Sequence, residues 1–148
     1  MWKKLLDSFD PSQIEDPHFG TVEWQENGQD HTYYLMKEVW LGDQSSPVSL
    51  TIESPRKESD ALQFSLFQNI ETRFVQIAAD AYRFMATQLP EMKAEDIKEN
   101  FIIESIYIGD ATGNLSPWEL TLLNSEEGGQ YCVIDFEDLK PVHLSMEE

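Results

Sequence analysis

Cysteine is almost absent: Cys132 is the only one in 148 residues. No disulfide can close within the chain, which excludes a disulfide-stapled scaffold. Cys132 lies in an apolar run, YCVIDF, and reads as a buried, inert thiol. Positive charge is scarce as well. Ten lysines and arginines face 28 aspartates and glutamates, a formal net charge of −18. The imbalance is spread along the chain and not gathered in a tail. A surface of that sign repels phosphate backbones and anionic lipid, so neither nucleic acid nor a membrane is an expected partner, and a basic protein is favoured. Acidity that serves only solubility is the competing explanation. Long apolar runs are also missing. The basic start MWKKLL runs at once into Asp7, Ser8, Phe9 and Asp10, not into the apolar region of a signal peptide, and nothing is long enough to span a membrane. The expected location is the cytoplasm.

Catalytic signatures are equally scarce. The chain contains no GxSxG, no phosphate-binding loop, no GxGxxG and no HExxH. The three histidines, His18, His31 and His143, stand at none of the tight spacings a zinc site wants. No cofactor and no metal are expected, and no catalytic residue is assigned. Asp135, Glu137 and Asp138 place carboxylates close together, as a glycosidase pair requires. Such a pair needs one desolvated, neutral member, whereas acids at a strand end entering a turn are normally solvated. Residues 109–114 (GDATGN) alternate oxygen-bearing side chains like the start of a calcium loop. They lack the closing bidentate acid, and Asp, Gly and Asn are ordinary turn formers.

What the chain does have is a core. A hydrophobic share of 41% with 11% aromatics is globular, and the length suits one domain, residues 1–148, with residues 1–17 as an N-terminal extension or short helix. In that extension Trp2, Leu5, Leu6 and Phe9 fall on one side of a helical turn. Residues 59–88 hold neither proline nor glycine, and Leu62, Leu66, Ile70, Phe74, Ile77 and Ala81 recur at steps of three and four. The pattern predicts one long helix, capped by Ser59 and stopped by Pro90. Around it lie strand-like segments: residues 18–24 and 31–41 flanking Asn27-Gly28, an alternating strand over 48–53, then 101–108, 118–124, 131–136 and 142–145. The expected fold is α+β, an antiparallel sheet of two meanders with about six to seven strands, covered on one face by the long central helix.

Aromatics are dense in the first meander, where Trp24, Tyr33, Tyr34 and Trp40 occur together. Tyr and Trp beside acids make effective protein-binding anchors. These four, with Asp135, Glu137 and Asp138, are the candidate partner-binding residues; filling of the core is the alternative role for the aromatics. The phrase Asp16-Pro17-His18-Phe19-Gly20, Trp40 in the second strand, Gln63 and Gln68 in the long helix, and Asp135-Phe136-Glu137-Asp138-Leu139-Lys140 near the end resemble a group of small bacterial domains of unknown function. The resemblance implies strands, a long helix and a closing meander, and such domains occur among immunity proteins of bacterial toxin systems. The function expected is a non-enzymatic cytoplasmic interaction module of that kind, binding a basic partner through an acidic, aromatic-containing surface. A small-molecule-binding protein or hydrolase with a pocket between helix and sheet is the alternative. A homodimer joined by a sheet edge or helix face is a third reading.

Overall fold

A computed structural model describes residues 12–110, 117–125 and 130–147. The strands β1 (Gln13–Asp16), β2 (Gly20–Asn27), β3 (Thr32–Val39), β4 (Val48–Ser54), β5 (Phe101–Ile108), β6 (Trp118–Asn124), β7 (Tyr131–Glu137) and β8 (Lys140–Glu147) form one eight-stranded sheet in chain order. Neighbours are antiparallel throughout except β4 and β5, which run parallel. A parallel pair cannot be joined by a tight turn and needs a long crossover. That crossover carries α1 (Ala61–Thr72), α2 (Phe74–Gln88) and α3 (Ala94–Asn100). The class is α+β with a mostly antiparallel sheet. The expectation of one long helix over six to seven strands is corrected: there are eight strands, and the described helical layer is three short helices.

The predicted long helix breaks at Arg73, whose φ of −113° and ψ of 20° leave the helical region. No proline or glycine is involved. The Thr72 hydroxyl donates to the Gln68 carbonyl one turn back, at 2.8 Å. Such back-bonding by threonine bends helices. The apolar stripe keeps its phase through the bend. Gln63, Phe67, Ile70, Phe74, Ile77, Ala81 and Met85 are all buried, while Leu62, at the head of the expected stripe, is 45% exposed. The cap is also one residue later than expected. Asp60 accepts from the Leu62 amide at 2.7 Å, and Gln63 Oε1 accepts from the Asp60 amide at 2.9 Å, which closes a capping box.

The Gln63 side chain does a second task. Its amide nitrogen donates to the Glu53 carbonyl at 2.7 Å and to the Gly109 carbonyl at 2.8 Å, so one buried side chain ties α1 to the ends of both parallel strands. Ser59, freed from capping, belongs to another knot. Its backbone N–H donates to Asp16 Oδ1 and its hydroxyl to Asp16 Oδ2, at 2.6 and 2.5 Å. Asp16 Oδ2 also accepts from the amides of His18 and Phe19. The Asp-Pro-His-Phe-Gly phrase is therefore a carboxylate-centred turn. Gly20 leaves it at a φ of +74°, a value side chains disfavour. The turn delivers Phe19 edge-on to Phe64 and Phe67. This knot makes an ordered edge strand, β1, of residues assigned from sequence to the N-terminal extension.

The core lies between the helices and one face of the sheet. Leu50, Ile52, Ile103, Ile106, Leu120, Leu122 and Ile134 of the strands meet Ile70, Phe74, Ile77, Ala81 and Met85 of the helices, each 2% exposed or less. Apolar side chains fill this interface. No described helix lies on the other face.

Candidate functional site

Strand alternation sends every second residue to the helix-free face. Read across the central strands, directly opposed residues on that face are Glu23, Met36, Thr51, Tyr107, Glu119, Asp135 and His143. A parallel row joins Ser49, Ser105, Thr121, Val133 and Ser145. On one side lie Gln25, Tyr34 and Glu53, on the other Tyr131 opposite Glu147. Adjoining shallow depressions make this face a trough. Its middle part, about 520 Å³, is lined by Thr51, Tyr107, Glu119, Thr121, Tyr131 and Glu147. Thr51 also lines the part beside β2 and β3, and Tyr107 and Glu119 the part running to Asp110 and Pro117.

The charges in the trough are one-sided. Of the lysines and arginines among the described residues, Lys37 and Lys140 alone lie in strands. Lys37 points to the helix side, where Nζ donates to the Phe19 carbonyl at 2.9 Å. Lys140 sits at the β7–β8 corner opposite Glu137. Arg56 and Lys57 belong to the β4–α1 connection, and Arg73, Arg83, Lys93 and Lys98 to the helical layer. The basic group in the trough is His143, with Nδ1 3.2 Å from Asp135 Oδ2.

Two titrating groups record this environment. Burial pushes the Tyr107 hydroxyl well above the usual tyrosine range, and its hydrogen bond to Glu53, with the nearby charges of Glu53, Tyr34 and Glu119, pushes it the same way. Tyr107 therefore stays protonated and donates to Glu53. Burial, followed by the charges of Asp135 and Glu147, also raises the Glu119 carboxyl above its ordinary value. Glu119 is half-buried among like charges, so an arriving cation would relieve it.

The seven sequence-chosen residues do not converge. Tyr34 and Asp135 belong to the trough. Trp24 and Tyr33 lie toward the helix side, 6.0 Å apart between ring centroids, with Lys57 Nζ 3.7 Å above the Trp24 ring. Trp40 stands just past the end of β3, 67% exposed. Next to it Gly42, at a φ of +54°, leaves room for Phe74 and Val75, which an added Cβ would meet at 3.2 Å. Glu137 and Asp138 are at the β7–β8 turn, where Asp138 takes a φ of +54° and its carbonyl accepts from Trp118 Nε1 at 2.6 Å. The amphipathic turn at residues 2–9 and most of the GDATGN segment lie outside the described residues.

Sequence reasoning missed Glu53, Tyr107, Glu119, Tyr131 and Glu147. The signal was the alternation in WELTLLN and the Ser105–Tyr107 step in FIIESIYI. It was obscured by a bulge between Ile103 and Ser105, which inserts Glu104 and reverses the phase of β5 midway.

A second constellation, Ser59, His18 and Asp16, contains the residue types of a nucleophilic triad. Its order is different. His18 Nδ1 lies 2.9 Å from Ser59 Oγ, but that hydroxyl donates to Asp16, and Ser59 and Asp16 are each 4% exposed. A triad serine gives its proton to the histidine, and the aspartate orients that histidine. Here the serine bridges the other two, which makes the group a structural knot. Among the described residues, no group of three or more His, Cys, Asp and Glu side chains is arranged to hold a metal ion, and no helix is long and apolar enough to cross a membrane. Comparison with protein-family models, with curated proteins and with solved structures finds no match. The trough itself therefore carries the functional reading.

Proposed function

We propose that the protein is a non-catalytic, cytoplasmic bacterial interaction module whose helix-free sheet face receives a basic protein partner. The observation that carries this reading is the segregation of charge. Glu23, Glu53, Glu119, Asp135 and Glu147 occupy one face, while the described lysines and arginines lie in the helical layer, the connections or the sheet corner, or, for Lys37 of β3, point to the helix side. Long-range attraction steers a cationic surface toward such a face, and half-buried tyrosines give the contact its apolar area. Tyr34, Tyr107 and Tyr131 suit that role, since each carries a rigid ring with a polar tip. The resemblance of the Asp-Pro-His-Phe-Gly phrase to domains found among toxin-immunity proteins agrees with a module that masks a cationic protein.

The test is a nuclear magnetic resonance titration of the full chain with an oligo-arginine peptide at low and at physiological salt. The reading expects shifts concentrated at Tyr107, Glu119, Thr121, Val133 and Asp135, weakening as salt rises. Shifts centred on α1 and α2, or spread evenly over all acidic residues, would overturn it.

A further inference from the structure

We propose that the acidic trough ends in an apolar docking row, Ile102, Leu123 and Tyr131 with Trp40 beside it, so that its basic partner binds through a segment carrying bulky apolar side chains about 14 Å from its cations. This inference rests on the reading of the trough as the seat of a cationic protein, and adds what else that protein presents.

Ile102, Leu123 and Tyr131 are directly opposed across β5, β6 and β7. Tyr131 lines the trough, so all three share the helix-free face. The flanking residues agree: Phe101 and Ile103 are 2% and 1% exposed in the core, and Ile102 between them is 47% exposed. Leu123 and Tyr131 are half-buried. The row closes on β8 at Glu147. Because β4 and β5 are parallel, their starts share one end of the sheet. Val48 at the start of β4 pairs with Val39 at the end of β3, so Trp40, the next residue, stands at that same end. Val39 and Leu41 pack in the core, and alternation turns Trp40, 67% exposed, toward the helix-free side. Single exposed apolar residues are ordinary; a bulky row over three adjoining strands is a contiguous patch.

Two strands fix the spacing. Leu123, Thr121 and Glu119 alternate along β6, and Tyr131, Val133 and Asp135 along β7. Four residues of strand set the apolar row about 14 Å from the carboxylate row. The line between them is built of small side chains, Ser49, Ser105, Thr121, Val133 and Ser145. Val133 is 9% exposed although it stands apart from the core cluster and no described helix lies above it. Taller residues on both sides shelter it, as on the floor of a depression. The two rows together define the occupant. Glu119 and Asp135 disfavour an acidic or wholly apolar segment, which would leave their charges desolvated without a partner. A wholly cationic segment leaves the apolar row uncovered. A second copy of this chain would bring its own carboxylates against these. A segment of a basic protein with lysines or arginines toward one end and bulky apolar residues toward the other satisfies both rows.

The test uses the full chain and two peptides of equal charge: six arginines followed by Gly-Gly-Ser-Ser-Ser, and six arginines followed by Gly-Gly-Leu-Leu-Trp. Calorimetry at physiological salt should give the second peptide an affinity about tenfold higher or more. The double variant Ile102→Thr/Leu123→Thr keeps strand propensity and every charge. It should abolish that gain and leave the affinity for the first peptide unchanged. The wild-type chain gives an independent reading by nuclear magnetic resonance. Signals of Ile102, Leu123, Tyr131 and the Trp40 indole should shift with the second peptide only, while Glu119 and Asp135 shift with both. Equal affinities, a gain that survives in the double variant, or second-peptide shifts that bypass Ile102 and Leu123 would each overturn this inference. The cationic reading would then still stand, with the first peptide mapping to Glu119 and Asp135. A first peptide that fails to bind there would overturn both.

Discussion

Asp16 shows how much one side chain organises. Its carboxylate is buried, and it accepts two amides within its own turn and both the amide and hydroxyl of Ser59, 43 residues away. Burial alone would raise its carboxyl, but the hydrogen bonds from Ser59, Phe19 and His18 together outweigh that and hold it below its ordinary value of 3.8. A depressed carboxyl contributes stability that is present above the ordinary value and lost as the pH falls through the folded one. Asp16→Asn should therefore cost about 2–3 kcal/mol in urea unfolding near neutral pH. The gap to wild type should close in acid, below the ordinary value of 3.8. Glu119 works in the opposite direction. Its charged form is disfavoured by burial and by Asp135 and Glu147, and that cost vanishes as the pH drops below the ordinary value of 4.5. Glu119→Gln should melt higher than wild type near neutral pH and lose this advantage in acid. A residue that weakens the fold yet faces a trough fits a surface kept for binding.

At the scale of elements, the crossover is the joint on which the sheet depends. β4 and β5 are the sole parallel pair, and Gln63 bridges the carbonyls at both their ends. Gln63→Ala should leave two buried acceptors unpaired and cost on the order of 2–3 kcal/mol, measured by urea unfolding. Backbone amides near Glu53 and Gly109 should gain hydrogen exchange before those in β7. Much of this level could be read from the sequence. Helical periodicity located the covering layer, the Asn27-Gly28 turn located the β2–β3 hairpin, and the alternation of Val48 to Ile52 marked a half-buried strand. What escaped has particular causes. The helix break at Arg73 follows directly on the Thr72 hydroxyl bonding back to Gln68, a contact that leaves no mark on the hydrophobic pattern. β1 is too short to show a period and owes its order to Asp16. In β5 the extra residue Glu104 changes which residues share a face. Strict alternation therefore assigns Tyr107 to the side of Phe101 and Ile103, when it lies opposite them.

The candidate site was legible only in outline. Composition disclosed the charge excess, and residue types disclosed the aromatics, but neither tells which face a side chain takes. Trp24 and Tyr33 went to the helix side beneath Lys57, whereas Tyr34, their neighbour in sequence, went to the trough. Across the whole molecule the two sheet faces divide the labour. One is apolar and holds the helices; the other collects carboxylates and tyrosines from seven different strands, β2 to β8. An acidic chain that used its charge for solubility alone would have no need to place its described cations elsewhere.

The most direct test compares two triple variants that lose the same number of charges. Glu53→Gln/Glu119→Gln/Asp135→Asn clears the centre of the trough. Glu71→Gln/Glu91→Gln/Glu99→Gln clears exposed acids of the helical layer and its connections. Affinity for an oligo-arginine peptide is measured by calorimetry for both and for wild type at one ionic strength. A face that recognises its partner predicts a loss of about tenfold or more for the trough variant and little change for the helical one. Equal losses in the two variants would mean that net charge alone attracts the peptide, and would contradict the assignment of the helix-free face as the working surface.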